Sequence, residues 1–207
     1  MTDAMQTVHA GQLPRIYLAG PDVFLPDPIA AGEQKKAICR QHGLEGVFPF
    51  DAEVDAGGRP RSETGLLISA ANESLIRGCV AVIANMTPFR GPSADVGTAY
   101  EMGFARGLGL IVFAYTNDPT AFLPRTERYL GVHAKRDENG RLRDANDMEV
   151  EDWGLADNLM LEGGIHASGG MFAATGSPDA ELFTDLRGFE NCVRRASEVL
   201  KRKDGSA

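Results

Sequence analysis

The sequence predicts an α/β protein, a single doubly wound parallel sheet of the flavodoxin or Rossmann-like kind with helices on both faces. Three observations carry that expectation. Short apolar runs alternate with helix-length amphipathic segments over 207 residues. The run at 80–84 is apolar throughout, as a strand covered on both faces must be. Polar turns bearing Gly, Asp and Asn follow the ends of these runs, where such sheets bind ligands.

In chain order, 16–19 is a short strand ended by Gly20-Pro21, and 29–42 is a helix with a polar outer face. A second strand at 46–50 leads into a Gly- and Asp-rich loop over 51–60, too polar for a core. The segment from Ser62 to Gly78 is an amphipathic helix with Leu66, Leu67, Ala70, Leu75 and Ile76 on its buried stripe. Strand 80–84 is expected at the centre of the sheet, followed by a loop over 86–92 and a helix from about 94 to 107 capped by Ser93. Strand 110–115 is the fourth. The charged stretch 131–152 carries Asn139-Gly140, a hairpin turn signal, and is expected to be a surface insertion. A compact apolar element at 158–161, a flexible Gly- and Ala-rich stretch at 163–177 and a closing helix over 179–203 complete the chain. The expected organisation is therefore a flexible leader over 1–14, one domain over 15–200 and a flexible tail over 201–207.

Composition narrows the functions. A formal net charge of -8 opposes the basic surface that a large nucleic-acid partner requires, while a small nucleoside remains compatible. No apolar run reaches the roughly 20 residues of a membrane span. Residues 1–14 show neither the basic nor the apolar region of a signal peptide. Cys39, Cys79 and Cys192 lack ligand spacing and read as reduced, buried thiols, which places the protein in the cytoplasm. His9, His42, His133 and His166 are scattered without zinc-site spacing, so no metal is expected. The first turn, Ala19-Gly20-Pro21-Asp22, is no dinucleotide fingerprint, Asp22 would repel a phosphate, and no cofactor is expected.

The junction 93–105 is the most informative segment. It sets Asp95 and Glu101 among Gly97 and Gly103, where a loop becomes a helix just after the central strand. A helical Glu is ordinarily a solvated outer-face residue. Here the two glycines leave room for a ligand, and an early-helix position favours an ionised carboxylate, the state a nucleophile requires. Asp95 reads either as a first-turn carboxylate or as a ligand anchor.

Four segments in register, 16–21, 85–91, 95–103 and 153–161, resemble the nucleoside 2-deoxyribosyltransferase family, in the branch carrying Pro-Phe-Arg-Gly (88–91) before the catalytic helix. The resemblance runs from about 15 to 161. It implies transfer of a 2-deoxyribosyl group between nucleobases, with Glu101 as the nucleophile that forms a covalent deoxyribosyl-enzyme and configuration retained through two inversions. By the same resemblance Tyr17 steadies the nucleophile, Asp95 anchors a sugar hydroxyl, and Gly20 lies at the substrate. Asn158 and Met160 complete the site of a neighbouring subunit in a homo-oligomer. Glu73 stands where many members have the aspartate that protonates the leaving base, and either serves as that acid or faces solvent. Glu53 matches a base-reading position, and with Phe24 it shapes the base pocket. Two alternatives stay open: an N-glycosidase that gives the deoxyribosyl group of 2′-deoxynucleosides or their 5′-monophosphates to water, with Arg90 as a phosphate contact, and a non-catalytic nucleoside- or nucleotide-sensing domain.

Overall fold

The computed structural model describes residues 12–55 and 57–204. Most of the leader expected over 1–14, and the last three residues of the tail, lie outside the described residues. The frame is a five-stranded parallel sheet built from Arg15–Ala19 (β1), Glu45–Val47 (β2), Ala81–Asn85 (β3), Ile111–Thr116 (β4) and, much later in the chain, Phe172–Ala174. The spatial order is β2-β1-β3-β4 and then the 172–174 strand. Strand order reverses at β1, so the crevice beyond the C-terminal ends of β1 and β3 is the topological switch point, where open α/β sheets bind ligands.

Strand parity sorts the side chains. Ile16 and Leu18 of β1 join Ile83, Phe113, Phe189 and Val193 in one buried layer. Tyr17 and Ala19 join Val82, Ala84, Met86, Met102 and Ala105 in the other. Helices Pro28–Gln41 (α1) and Arg187–Asp204 cover the first face, and Arg61–Arg77 (α2) and Val96–Gly107 (α3) the second. Tyr17 therefore faces α3 because it occupies an odd position on β1.

Between β4 and the last strand the chain forms Phe122–Leu130 (α4), the two-stranded hairpin Lys135–Arg136 (β5) with Leu142–Arg143 (β6), and Leu159–Ala167 (α5), before Phe172–Ala174 (β7) and Arg187–Asp204 (α6). Several sequence expectations are corrected here. Helix α4 has no counterpart in the sequence reading; Pro124 sits in its first turn, where a missing N–H is tolerated, and Gly131 ends it at φ 67°. The stretch 163–177, expected to be flexible, holds most of α5 and all of β7. The Asn158 cap and the burial of Ile165 outweigh the helix cost of Gly163 and Gly164, and β7 gains its order by pairing with β4. Helix α6 starts eight residues later than expected, after a 3-10 turn at Asp179–Glu181, and continues through Asp204 into the segment read as tail.

Helix α2 departs most from its expected stripe. Ile76 is buried and Leu75 packs against the core, but Leu66 is 73% exposed, and Leu67 and Ile68 are also exposed. Only the C-terminal half of α2 lies on the sheet.

Candidate active site

Helix α3 begins where Asp95, rather than the expected Ser93, accepts the Thr98 backbone N–H at 3.0 Å as N-cap. Thr98, Met102 and Ala105 are buried, and Glu101 shares their i, i+3, i+4 stripe. The outer-face reading of Glu101 is thereby excluded: its half-buried side chain turns toward β1, where the Tyr17 hydroxyl donates to Oε1 at 2.6 Å. Asn72 of α2 places its Nδ2 at 3.5 Å from the same oxygen.

The electrostatics follow from this packing. Burial raises the Glu101 carboxyl from an ordinary 4.5 to about 7; the negative charge of Asp95 adds to the rise, while the donors Tyr17 and Asn72 oppose it. Burial, and then the charge of Glu101, push the Tyr17 phenol far above its ordinary range, so it remains a donor at any physiological pH. The site thus holds one carboxylate poised near neutrality, fixed by a permanent donor, at the switch point of the sheet.

The other residues named from the sequence are distributed around this pair. Gly20 ends β1; a Cβ there would clash with Asp22 Oδ2 and come within 2.8 Å of Asn85 Cβ. Asp22 does not stand ready to repel a phosphate: it is 2% exposed, paired with Lys35 Nζ at 2.7 Å and bonded by Asn85 Nδ2 at 3.3 Å. Phe24 is 54% exposed and stacks on Phe89 with ring centroids 5.2 Å apart, while the Arg90 guanidinium lies 4.9 Å from the Phe24 ring. Arg90 itself adopts φ 55°, rare for a residue with a side chain. Glu53 is exposed in the loop after β2. Gly97 and Gly103 are exposed, and a Cβ placed on Gly103 would meet nothing within 4 Å among the described residues.

Glu73 is not brought onto Glu101. Successive helix residues point about 100° apart, so with Asn72 turned inward Glu73 accepts from the Tyr100 hydroxyl at 2.5 Å on the outer side. Asn158 caps α5, accepting from Met160 N at 3.0 Å, and its Nδ2 donates to Glu151 Oε1 at 2.6 Å. Met160 is 72% exposed.

Sequence reasoning missed three features that organise the crevice. Asn72 lies one turn before Ile76 on the inward face of α2, and a polar residue on a buried stripe was the available signal. The buried Asp22–Lys35 pair was legible only as a charge of each sign, on a loop and a helix. Asp157 is 1% exposed, accepts from Ala94 N at 2.8 Å, and lies 3.6 Å from the buried Arg125. It ties the segment before α5 to the start of α3 across 63 residues, and no local pattern reveals that.

Fold and site together define an α/β protein with a buried, tyrosine-bound carboxylate at the sheet's switch point. The model of the nucleoside 2-deoxyribosyltransferase family matches residues 16–160, and the chain belongs to that family. It is 32% identical over 172 residues to the Schizosaccharomyces pombe protein C191.05c, covering 78% of this chain and 82% of that one. Among solved structures it resembles a 2-desoxiribosyltransferase from Leishmania mexicana with a TM-score of 0.54 and 30% identity, over 72% of this chain and 85% of that one. A conserved protein from Enterococcus faecalis V583 shares the fold, with a TM-score of 0.51 and 18% identity over 89% and 99% of the two chains. Among the described residues no helix is long and apolar enough to cross a membrane.

Proposed function

We propose that this protein transfers the 2-deoxyribosyl group of a 2′-deoxynucleoside from one nucleobase to another through a covalent ester on Glu101. The observation that carries the reading is the 2.6 Å hydrogen bond from Tyr17 to the half-buried Glu101 carboxylate, in a chain of this family. In the first step a Glu101 oxygen attacks C1′ as the C1′–N bond breaks. The bonding pair leaves with the base, which takes a proton from Glu73. In the second step a nitrogen of the incoming base attacks C1′, the C1′–O bond to Glu101 breaks, and the proton displaced from that base returns to Glu73. Two inversions give overall retention. No metal or other cofactor takes part in this scheme.

Asp95, beside Glu101, anchors a sugar hydroxyl, Gly20 lets the sugar approach β1, and Phe24 with Glu53 meets the base. In this structure Glu73 is bound by Tyr100, so a side-chain rotation precedes protonation. Asn158 and Met160 serve a neighbouring subunit's site in a homo-oligomer; the exposed apolar residues Leu66, Val96 and Met160 supply surface for such an assembly. The buried free thiols suit a cytoplasmic protein.

The second reading, hydrolysis with water in place of the incoming base, is favoured by one feature: Arg90, exposed at the crevice rim, is a cation available to a 5′-phosphate. Incubation with deoxyinosine, with and without adenine, separates the readings. Deoxyadenosine formed only when adenine is present supports transfer. Hypoxanthine release indifferent to adenine supports hydrolysis, and inertness toward all purine and pyrimidine donors leaves the sensing domain.

A further inference from the structure

We infer that Asn72 is a positioning residue for Glu101, holding its carboxylate from α2 opposite Tyr17 and offering a buried acceptor to a hydrogen-bond donor on the bound nucleoside. The inference rests on the reading of Glu101 as nucleophile. Asn72 lies one turn before the fully buried Ile76, which fixes its inward direction. Its Nδ2 meets Oε1 of Glu101 at 3.5 Å, the oxygen that also receives the Tyr17 hydroxyl at 2.6 Å. Oε2 carries no hydrogen bond from the described residues.

That asymmetry has a chemical consequence. Oε2 is the oxygen free to attack C1′, and Oε1 becomes the ester carbonyl. When the C1′–Oε2 bond later breaks, its electron pair returns to the carboxylate and charge spreads onto Oε1, where both donors stand. Donors placed at the site of developing charge act without rearranging. The other end of the amide, Oδ1, is buried and has no hydrogen-bond partner among the described residues. An orphaned buried acceptor beside a reacting carboxylate is explained by a donor that arrives with the substrate.

The titratable groups around Glu101 are Tyr17 on β1 and Asp95 at the head of α3. Next to Asn72 on α2, Glu73 is occupied by Tyr100 and lies 3.9 Å from Arg77. Asn72→Ala removes a donor that favours the ionised carboxylate, so the acid limb of kcat/KM moves to higher pH, by about half a unit or more. Asn72→Asp keeps the side chain's size and sets a second carboxyl against the first, moving the limb at least as far in the same direction.

Asn72→Ala, which removes the acceptor, also raises KM, whereas Asn72→Asp keeps an acceptor oxygen there and leaves the substrate contact intact. Comparing 3′-deoxy and 5′-deoxy analogues of the donor locates the contact: the analogue on which Asn72→Ala no longer raises KM lacks the hydroxyl that Oδ1 binds, and a penalty kept on both assigns the donor to the base. Circular dichroism checks that each variant is folded. A limb unmoved in both variants overturns the positioning role, and an unchanged KM in Asn72→Ala overturns the acceptor role. If the wild-type protein cleaves no 2′-deoxynucleoside, the proposed function fails. The positioning role is then still decided by NMR titration of the Glu101 carboxyl carbon, assigned with Glu101→Gln. An upward shift in Asn72→Ala supports it, and an unchanged midpoint overturns it.

Discussion

Replacing Glu101 by Gln is expected to make the protein inactive and, at alkaline pH, more stable. The carboxyl rises from 4.5 to about 7 on folding, chiefly through burial. The folded state therefore binds this proton more tightly than the unfolded state. Between pH 4.5 and 7 the native protein holds more protons, so stability falls as pH rises, and above about pH 7 the full penalty is present. A shift of that size corresponds to about 3 kcal/mol as an upper bound, since partial solvent access reduces it. Gln fits the same space, is neutral at every pH and still accepts from the Tyr17 hydroxyl, so the substitution removes the charging cost while keeping the contact. Urea titration of both proteins at pH 8 is expected to favour Glu101→Gln by 2 to 3 kcal/mol, about 5 to 10 °C in Tm. At pH 4.5 the two should nearly coincide, because the wild-type carboxyl is then protonated in the native state. Other groups titrate alike in both proteins and cancel in the difference. A stability difference independent of pH, or one favouring the wild type at pH 8, would refute the reasoning.

Three further outcomes are expected. Glu101→Ala and Asn158→Ala, each inactive alone, recover activity when mixed and allowed to exchange subunits, because one intact site then forms between them; activity assays and gel filtration check this, and a fully active wild-type monomer excludes it. Glu73→Gln slows cleavage of deoxyadenosine far more than cleavage of a 2′-deoxyriboside whose leaving group departs without a proton; equal slowing removes Glu73 from the acid role. Asp157→Ala strips the buried Arg125 of its counter-charge and Ala94 N–H of its acceptor, with an expected loss of about 3 to 5 kcal/mol in urea unfolding; a loss below about 1 kcal/mol shows that the pair is not coupled to the fold.

What the sequence revealed, and what it concealed, divides along a physical line. Strands β1, β3 and β4 are apolar because both faces are covered, so their runs were readable, and a parallel sheet with its crevice at the strand ends followed from them. The pairing of Tyr17 with Glu101 came from family resemblance, yet parity on β1 and the 98–101–102–105 stripe on α3 would have given it unaided. Strand β7 was hidden because three residues at a sheet edge owe their order to β4 rather than to their own pattern. The stripe of α2 misled because hydrophobicity marks what a helix would bury, not what one chain offers to bury it against. Leu66, Leu67 and Ala70, spaced for one helix face, are exposed and find no cover among the described residues. The polar ties at the crevice, Asp22 to Lys35 and Asp157 to Ala94, join residues far apart in sequence, and only the fold brings them together.

A sensing domain on the same sheet would need recognition groups, and a neutral amide in place of Glu101 would recognise a sugar hydroxyl without the charging penalty. Folding retains the acid instead. It is buried enough to titrate near 7, next to a second carboxyl, Asp95, that makes ionisation harder still. It is bound by a tyrosine whose proton never leaves in the physiological range. Such an arrangement is unfavourable for stability and serves binding poorly. It suits a group that must be an anion when it attacks and a good leaving group when the ester breaks, with one oxygen bonded and the other free. The cost of keeping Glu101 in the crevice thus supports the proposed covalent reading, under which the pH dependence of stability and of turnover are two readings of one titration.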